Sequence, residues 1–134
     1  MITKSDVESS DSFLAQGGIC VQRDEDDYES YFEDTMKAGH YENRKESVDI
    51  MIRNSRQVIG DLVGYGVEFE QENGEFLYTR EGAHSAPRIL FHEDVTGKEI
   101  TSKLLERVKE LENVSIFEYT TMTDILEEEG RCAG

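Results

Sequence analysis

The residues best suited to chemistry lie in one short stretch, which reads Thr79-Arg80-Glu81-Gly82-Ala83-His84-Ser85. Arginine binds carboxylates or phosphates through paired N–H donors, and a second arginine, Arg88, follows shortly after. A glutamate and a histidine in the same stretch can orient a cationic or hydroxyl group. The combination is typical of a dicarboxylate or nucleotide site, although an ordinary surface loop can have the same composition.

A second candidate is Gln16-Gly17-Gly18, which lies inside the run SFLAQGGIC at residues 12–20. Glycine has no Cβ, so the backbone N–H groups of such a pair can approach a ligand closely. A plain turn uses the same pair, and the local sequence leaves both interpretations open.

Metal and hydrolytic chemistry are both disfavoured. The groups that could hold a metal do not share a helical face or the short, regular spacing of a structural zinc site; they are His40, His84, His92, Glu93 and Asp94. Ser85 has histidines nearby, but the chain has no GxSxG nucleophile elbow. We therefore predict no metal site.

Composition predicts one soluble domain and excludes two classes of partner. The chain has 134 residues, a formal net charge of -16 and a sequence pI near 4.4. A charge of this size repels nucleic-acid phosphates and anionic membranes, so we expect neither as a partner. The acidic residues are scattered among apolar ones, which indicates a solvated surface.

Cysteine usage predicts a reducing compartment. Cys20 and Cys132 lie far apart and form no CxxC motif, which argues against a disulfide framework. No signal peptide is visible, and no apolar run approaches membrane-spanning length. We therefore expect a cytoplasmic protein.

The first half of the chain predicts mainly helix. Residues 1–4 read as the end of a strand, and residues 12–21 read as a loop entering a helical turn or short strand. Helical spacing of apolar residues from Tyr28 predicts a helix that ends near Gly39. Asn43 is predicted to cap a second helix, which glycines close at residues 64–66.

The second half predicts a hairpin, a helix and two strands. Residues 67–69 and 76–79 read as strands around an Asn73-Gly74 turn. Residues 97–111 predict a helix, and residues 114–118 and 121–126 predict strands. A helix that leads into a strand in this order is typical of a βαβ unit and of the α/β class.

These motifs occur in an order that resembles one known group. The run SFLAQGGI at residues 12–19 is similar to the flavin-contacting loop of the fumarate reductase and succinate dehydrogenase flavoprotein superfamily, and residues 33–39 resemble the acidic helix that follows that loop. The L-aspartate oxidase family is the closer resemblance, on TREGAHS at 79–85, RIL at 88–90 and HEDVTG at 92–97. The resemblance covers nearly the whole chain.

The resemblance implies an α/β fold, specifically a partial Rossmann-like FAD-binding domain over residues 1–134 with helices and a β-hairpin insertion. The family's first βα unit carries GxGxxG, which this sequence lacks, so an internal fragment is expected. The family oxidises L-aspartate to iminoaspartate with FAD, on the route through quinolinate to NAD, and passes electrons to oxygen or fumarate. A fragment is expected to be inactive alone and to self-associate through exposed sheet edges.

The resemblance also implies roles for single residues. Lys4, Thr121 and Met122 match contacts on the adenosine side of FAD. The contacts along the diphosphate and isoalloxazine match Asp11, Ser12, Phe13, Leu14, Ala15, Gln16, Gly17 and Gly18. Glu81 matches the glutamate that orients the substrate ammonium, and His84 and Ser85 are further substrate candidates. Two alternatives stay open: a fragment of a succinate dehydrogenase or fumarate reductase flavoprotein, and a non-catalytic acidic interaction module.

Overall fold

The computed structural model describes residues 1–134 as four α-helices and six short strands. The helices are α1 (Asp11–Leu14), α2 (Asp27–Ala38), α3 (Lys45–Gly64) and α4 (Thr96–Lys109). The strands are β1 (Ile19–Cys20), β2 (Gln71–Glu72), β3 (Glu75–Phe76), β4 (Ile89–Leu90), β5 (Glu127–Glu128) and β6 (Arg131–Cys132). They pair antiparallel as β1 with β4, β2 with β3 and β5 with β6. No helix has the length and apolar content needed to cross a bilayer.

Helix α3 organises the core because it buries one face along its whole length. Its buried residues recur at helical spacing, so they form a continuous stripe: Val48, Ile52, Ser55, Ile59 and Leu62. The first half of the stripe packs with Tyr31 and Met36 of α2. The second half packs against the strand pair β1–β4 and the segment after α3.

The strands predicted over residues 1–4 and 114–118 are reduced in the structure to one isolated bridge. Ile2 forms a parallel bridge with Phe117, which lies after α4. The Thr3 backbone N–H donates to the Phe117 carbonyl at 2.9 Å, and the Phe117 N–H donates to the Met1 carbonyl at 3.0 Å. The bridge is a single residue pair, and further backbone hydrogen bonds on both sides of it join residues 1–5 to residues 115–120.

The hairpin predicted at Asn73-Gly74 is confirmed. Asn73 and Gly74 have φ values of 54° and 85°, the left-handed backbone that a type I′ turn requires at both central positions. The strands predicted over residues 67–69 and 121–126 are wrong. Val67 is buried, but its N–H bonds back to Leu62 at the end of α3 and not to a neighbouring strand. Residues 121–126 are exposed, and only Leu126 makes backbone hydrogen bonds to another segment, to Ala133 and Gly134 after β6.

Asn43 does not cap α3, so that prediction is also wrong. Helix α3 begins at Lys45, and no side chain bonds its first turn. His40 and Tyr41 both adopt positive φ, which turns the chain sharply after α2. This turn packs the Asn43 amide against Gly39, where a Cβ would lie 1.9 Å from Asn43 Oδ1. The amide is thus held at the end of α2, away from the start of α3.

Candidate functional site

The TREGAHS stretch forms a loop whose base is closed by the sheet. The Thr79 N–H donates to the Ile89 carbonyl at 2.9 Å, and the Ile89 N–H donates to the Thr79 carbonyl at 3.1 Å. Within the loop, Gly82 adopts a φ of 57° and the His84 N–H donates to the Glu81 carbonyl at 3.4 Å. A glycine adopts this left-handed backbone without strain. The loop therefore has a fixed base and an internal turn that displays Glu81.

Arg88 lies at the end of this loop with its side chain fully buried. Its Nη2 and Nε donate to the Asp27 carboxylate, at 2.7 Å for Nη2 to Oδ1. Its Nη1 donates to Asp34 Oδ2 at 2.6 Å. Ser30 Oγ accepts from Nη2 at 2.7 Å. Asp27, Ser30 and Asp34 share one face of α2 because they are three and four residues apart.

The Arg88 guanidinium has no N–H left for an outside ligand. Arginine has five N–H donors, and each has an acceptor here: Asp27 twice, Ser30, Asp34 and His84. The sequence pattern made Arg88 a candidate for recognising a carboxylate or phosphate. The structure instead uses it to join the loop to α2.

The two α2 carboxylates are held ionised by this network. Burial by itself would raise the pKa of Asp27, but the hydrogen bond from Arg88 and its charge outweigh burial and lower that pKa. For Asp34, burial is outweighed by hydrogen bonds from Ser85 and by Arg88, so its pKa is also lowered. Each carboxylate is therefore more easily ionised in the folded chain than in the unfolded one.

We expect this network to make the chain less stable in acid. A depressed folded-state pKa contributes stability above the unfolded value of 3.8, and that stability is lost as pH falls from this value through the folded-state pKa. Urea unfolding between neutral pH and about pH 3 checks this. Asp34→Asn is expected to show a weaker loss over the same range, and an unchanged pH dependence in that variant would contradict the assignment.

The polar atoms of Ser85 and His84 bond to this network, although Ser85 is exposed and His84 is half-buried. The Asp34 carboxylate accepts from both the N–H and the Oγ of Ser85, each at 2.7 Å. His84 Nδ1 lies 3.1 Å from Arg88 Nη1. Arginine can only donate, so Nδ1 is the acceptor and the ring proton lies on Nε2. That Nε2–H points at Cys20 Sγ, 3.0 Å away.

The surroundings of His84 keep it neutral. Burial and the neighbouring Arg88 charge both lower its pKa. Burial also raises the pKa of the Cys20 thiol and of the Tyr31 hydroxyl, so both stay protonated. A neutral histidine that donates to a thiol cannot supply a positive charge to a substrate carboxylate.

A cleft of about 620 Å³ opens beside this cluster, between α2, α3 and the loop. Its walls are mainly apolar, with Ile50, Met51 and Val58 of α3 on one side. Cys20, Tyr31 and His84 line the other side. The polar network thus borders an apolar space.

Glu81 and Gly17 lie close together, although they are far apart in sequence. A Cβ built on Gly17 would have Glu81 Oε2 at 4.0 Å and no other atom beyond its chain neighbours within that distance. Glu81 is exposed and takes part in none of the four ion pairs of the chain. The structure therefore joins the two stretches that the sequence singled out, and it leaves the Glu81 carboxylate available.

The two glycines of the pair have different neighbours. A Cβ on Gly18 would lie 2.2 Å from the Leu90 carbonyl oxygen and 2.3 Å from Ile89 Cγ2, so β4 leaves no room for one. Gly97, at the start of α4, also has no room for a Cβ, which would lie 2.2 Å from the Ser12 carbonyl oxygen. Gly97 lets the start of α4 pack on α1, where its N–H donates to the Ala15 carbonyl at 2.9 Å.

The remaining predicted cofactor residues form a second group. The Thr120 N–H donates to the Thr3 carbonyl at 2.9 Å, and the Tyr119 N–H donates to the Ser5 carbonyl at 3.2 Å. These bonds place Lys4 beside Thr121 and Met122, and all three side chains are exposed. The run from Asp11 to Gly18 is also exposed apart from Phe13, whose N–H is capped by Ser10 Oγ at 3.2 Å.

These surfaces fit the flavin that the resemblance implies. Packing within the chain does not require glycine at position 17, because a Cβ there would meet only Glu81 Oε2, at 4.0 Å. The neighbouring residues Leu14, Ala15 and Gln16 are exposed beside it. Because glycine has no Cβ, an exposed loop leaves room at this position for a planar ring to lie against the backbone.

Sequence reasoning missed the partners of Arg88. Neither Asp27 nor Ser30 stands out in the sequence as a member of a site, and Asp34 stands out only as part of the acidic helix at residues 33–39. The spacing Asp27, Ser30, Asp34 was the available signal, since it places three acceptors on one helix face. The spacing does not indicate which donor these acceptors bind, because only the folded structure places Arg88 opposite them.

Curated L-aspartate oxidases are similar to this chain in sequence. The enzyme of Clostridium perfringens is 43% identical over 134 residues, which is 100% of this chain and 30% of that protein. The enzyme of Clostridium acetobutylicum is 40% identical over 135 residues, 100% of this chain and 31% of that protein. The chain thus spans about a third of the length of these relatives.

Solved structures share the fold. An E. coli quinol fumarate reductase FrdA variant superimposes with a TM-score of 0.91 over 98% of this chain and 23% of that one, at 23% identity. Mycobacterium smegmatis Sdh1 superimposes with a TM-score of 0.86 over 99% of this chain and 25% of that one, at 25% identity. These likenesses confirm the predicted α/β, flavoprotein-type fold.

A family model for the FAD binding domain matches residues 1–134, the whole chain. The match agrees with the open Gly17 and the exposed run before it, and it confirms FAD as the cofactor expected from the sequence. The chain belongs to the FAD-binding domain family.

Proposed function

We propose that residues 1–134 form one partial FAD-binding domain of an L-aspartate oxidase, an enzyme that converts L-aspartate to iminoaspartate in the first step of NAD synthesis. The approach of Glu81 to Gly17 carries the proposal, because it places a free carboxylate beside the predicted flavin loop. The similarity of the whole chain to L-aspartate oxidases supports it. Without the further segments that its relatives contain, the chain is expected to be inactive.

Different residues of the chain would contact the cofactor and the substrate. When bound, FAD would accept a hydride from the aspartate Cα. Lys4, Thr121 and Met122 would hold the adenosine side, and residues 11–18 would lie along the diphosphate and the ring. The Glu81 carboxylate would bind the substrate ammonium through charge-assisted hydrogen bonds. His84 and Ser85 would act through the loop, since their polar atoms bond Arg88, Cys20 and Asp34.

We expect Glu81→Gln to weaken L-aspartate binding about 10- to 100-fold, because the charge-assisted bond becomes a neutral one. FAD affinity is expected to stay the same, since the proposal assigns Glu81 to the substrate and not to the cofactor. The measurement is anaerobic bleaching of the flavin absorbance by L-aspartate in the enzyme that contains this chain. Glu75→Gln, in the exposed hairpin strand β3, is the matched control, and equal effects of the two substitutions would contradict the role of Glu81.

A fragment of a succinate dehydrogenase or fumarate reductase flavoprotein is the second candidate, which the fold similarity favours. Succinate lacks an ammonium group, so a glutamate in the site has no cation to pair with. Flavin bleaching by succinate and not by L-aspartate, in the same anaerobic assay, would replace the first proposal with this one.

We also propose that the isolated chain self-associates through its N-terminal edge. Ile2 and Phe117 meet in a single bridge, and their side chains are 51% and 58% exposed. Unpaired edges with apolar side chains invite pairing with another chain. Light scattering is expected to show mass rising with concentration, and Phe117→Glu is expected to reduce it. A monomer at every concentration would leave the third candidate, a stand-alone acidic module, in a stronger position.

A further inference from the structure

We propose that Arg88 is a positioning residue that fixes the Glu81 carboxylate opposite Gly17, an inference that rests on the proposed function for its substrate. Arg88 touches neither the flavin loop nor Glu81 directly. It acts through His84, which it binds at Nδ1, and through Asp34, which holds Ser85.

Two connections run from Arg88 to Glu81. On one, Arg88 Nη1 donates to the His84 ring, and the His84 backbone N–H donates to the Glu81 carbonyl at 3.4 Å. On the other, Arg88 and Ser85 share the same oxygen of Asp34, with Arg88 Nη1 at 2.6 Å and Ser85 Oγ at 2.7 Å. The turn that displays Glu81 is thus tied on its C-terminal side to a buried cation.

The strand pair holds the other side of the turn. Thr79 exchanges two backbone hydrogen bonds with Ile89, which is adjacent to Arg88 in the chain. Glu81 therefore lies between two fixed points, the Thr79–Ile89 pair and the Arg88 network. Its own side chain is exposed and forms no ion pair. Without the tie, Gly82 would let the turn move, because glycine crosses between backbone conformations at low cost.

A lysine at position 88 separates the two functions of Arg88. Lysine keeps the positive charge near Asp27 and Asp34, but it has one compact ammonium in place of a planar fork. It cannot reach both carboxylates and the His84 ring together. Arg88→Lys is therefore expected to preserve the fold and release the loop, and Ser85→Ala is a milder second variant that removes only the Oγ bond to Asp34.

The first test is amide hydrogen exchange in the flavin-loaded enzyme that contains this chain. We expect exchange over residues 81–86 to rise about tenfold in Arg88→Lys, and less in Ser85→Ala, while exchange in α3 stays unchanged. Arg53→Lys is the matched control, because Arg53 forms a solvent-exposed ion pair with Asp49. An equal rise in the loop and in α3 would show general destabilisation and overturn the inference.

The second test separates positioning from packing. In Arg88→Lys, we expect the KM for L-aspartate to rise about tenfold or more, since a misplaced Glu81 no longer meets the ammonium. The inhibition constant of succinate, which has no ammonium, is expected to stay within about twofold, as is the dissociation constant of FAD. Equal losses for L-aspartate and succinate would overturn the inference.

The two proposals fail in different ways. If L-aspartate does not bleach the flavin of the unsubstituted enzyme, the proposed function is wrong, and hydrogen exchange alone then decides whether Arg88 fixes the loop. If the unsubstituted enzyme does react and Arg88→Lys leaves both the loop exchange and the KM unchanged, only the role of Arg88 is wrong.

Discussion

Arg88→Met is expected to lower the free energy of unfolding by about 3–5 kcal/mol, the range found when one partner of a buried ion pair is removed. The guanidinium is fully buried, and its side-chain partners Asp27 and Asp34 are only 8% and 13% exposed. Methionine fills much of the same space but leaves both carboxylates without a cation. Urea unfolding at neutral pH measures the loss.

Two further variants test the cause of this loss. Arg53→Met removes an ion pair whose side chains are 60% and 39% exposed, and we expect little change because water already screens that pair. Adding Asp27→Asn and Asp34→Asn to Arg88→Met is expected to restore part of the stability, because no uncompensated charge remains. A triple variant no more stable than Arg88→Met would show that the loss came from packing.

Gly18→Ala is expected to cost about 3 kcal/mol or more, at the upper end of what overpacking causes. The new methyl group would lie 2.2 Å from a backbone oxygen of Leu90, and a backbone atom cannot move aside as a flexible side chain can. Separating β1 from β4 would also disturb the core around Leu90, which is completely buried. Thermal unfolding followed by circular dichroism measures this effect.

Gly17→Ala is the matched control for Gly18→Ala, because the two residues are adjacent and receive the same added methyl group. Its Cβ would meet nothing in the chain closer than 4.0 Å, so we expect stability to change little. We expect FAD affinity to fall instead, since the methyl group would occupy space beside the proposed ring site. A stable Gly18→Ala, or a Gly17→Ala chain that binds FAD normally, would contradict this division.

Local chemistry was enough to predict several elements of the fold. The Asn73-Gly74 turn was predictable because few residue pairs tolerate positive φ at two successive positions. The helices α2, α3 and α4 were predictable because their apolar residues recur at helical spacing. Each of these signals is contained within a few neighbouring residues.

The wrong predictions depended on distant partners. A capping pattern at Asn43 competes with the turn after α2, and packing against Gly39 decided the outcome. Residues 121–126 have a strand-like composition, but a strand needs a neighbouring strand to bond. That neighbour is a property of the whole fold and not of the segment.

The sequence alone determined which residues could do chemistry here: a glycine pair in an exposed run, and a loop with arginine, glutamate, histidine and serine. Only the tertiary structure decided which of these groups bond within the chain and which remain free for a ligand. It buries Arg88 among acceptors from α2, directs His84 and Ser85 to that network, and leaves Glu81 free beside Gly17. The physical reason is that side-chain type sets what a group can bond, whereas burial and the partners brought by folding set what it has left to offer a ligand.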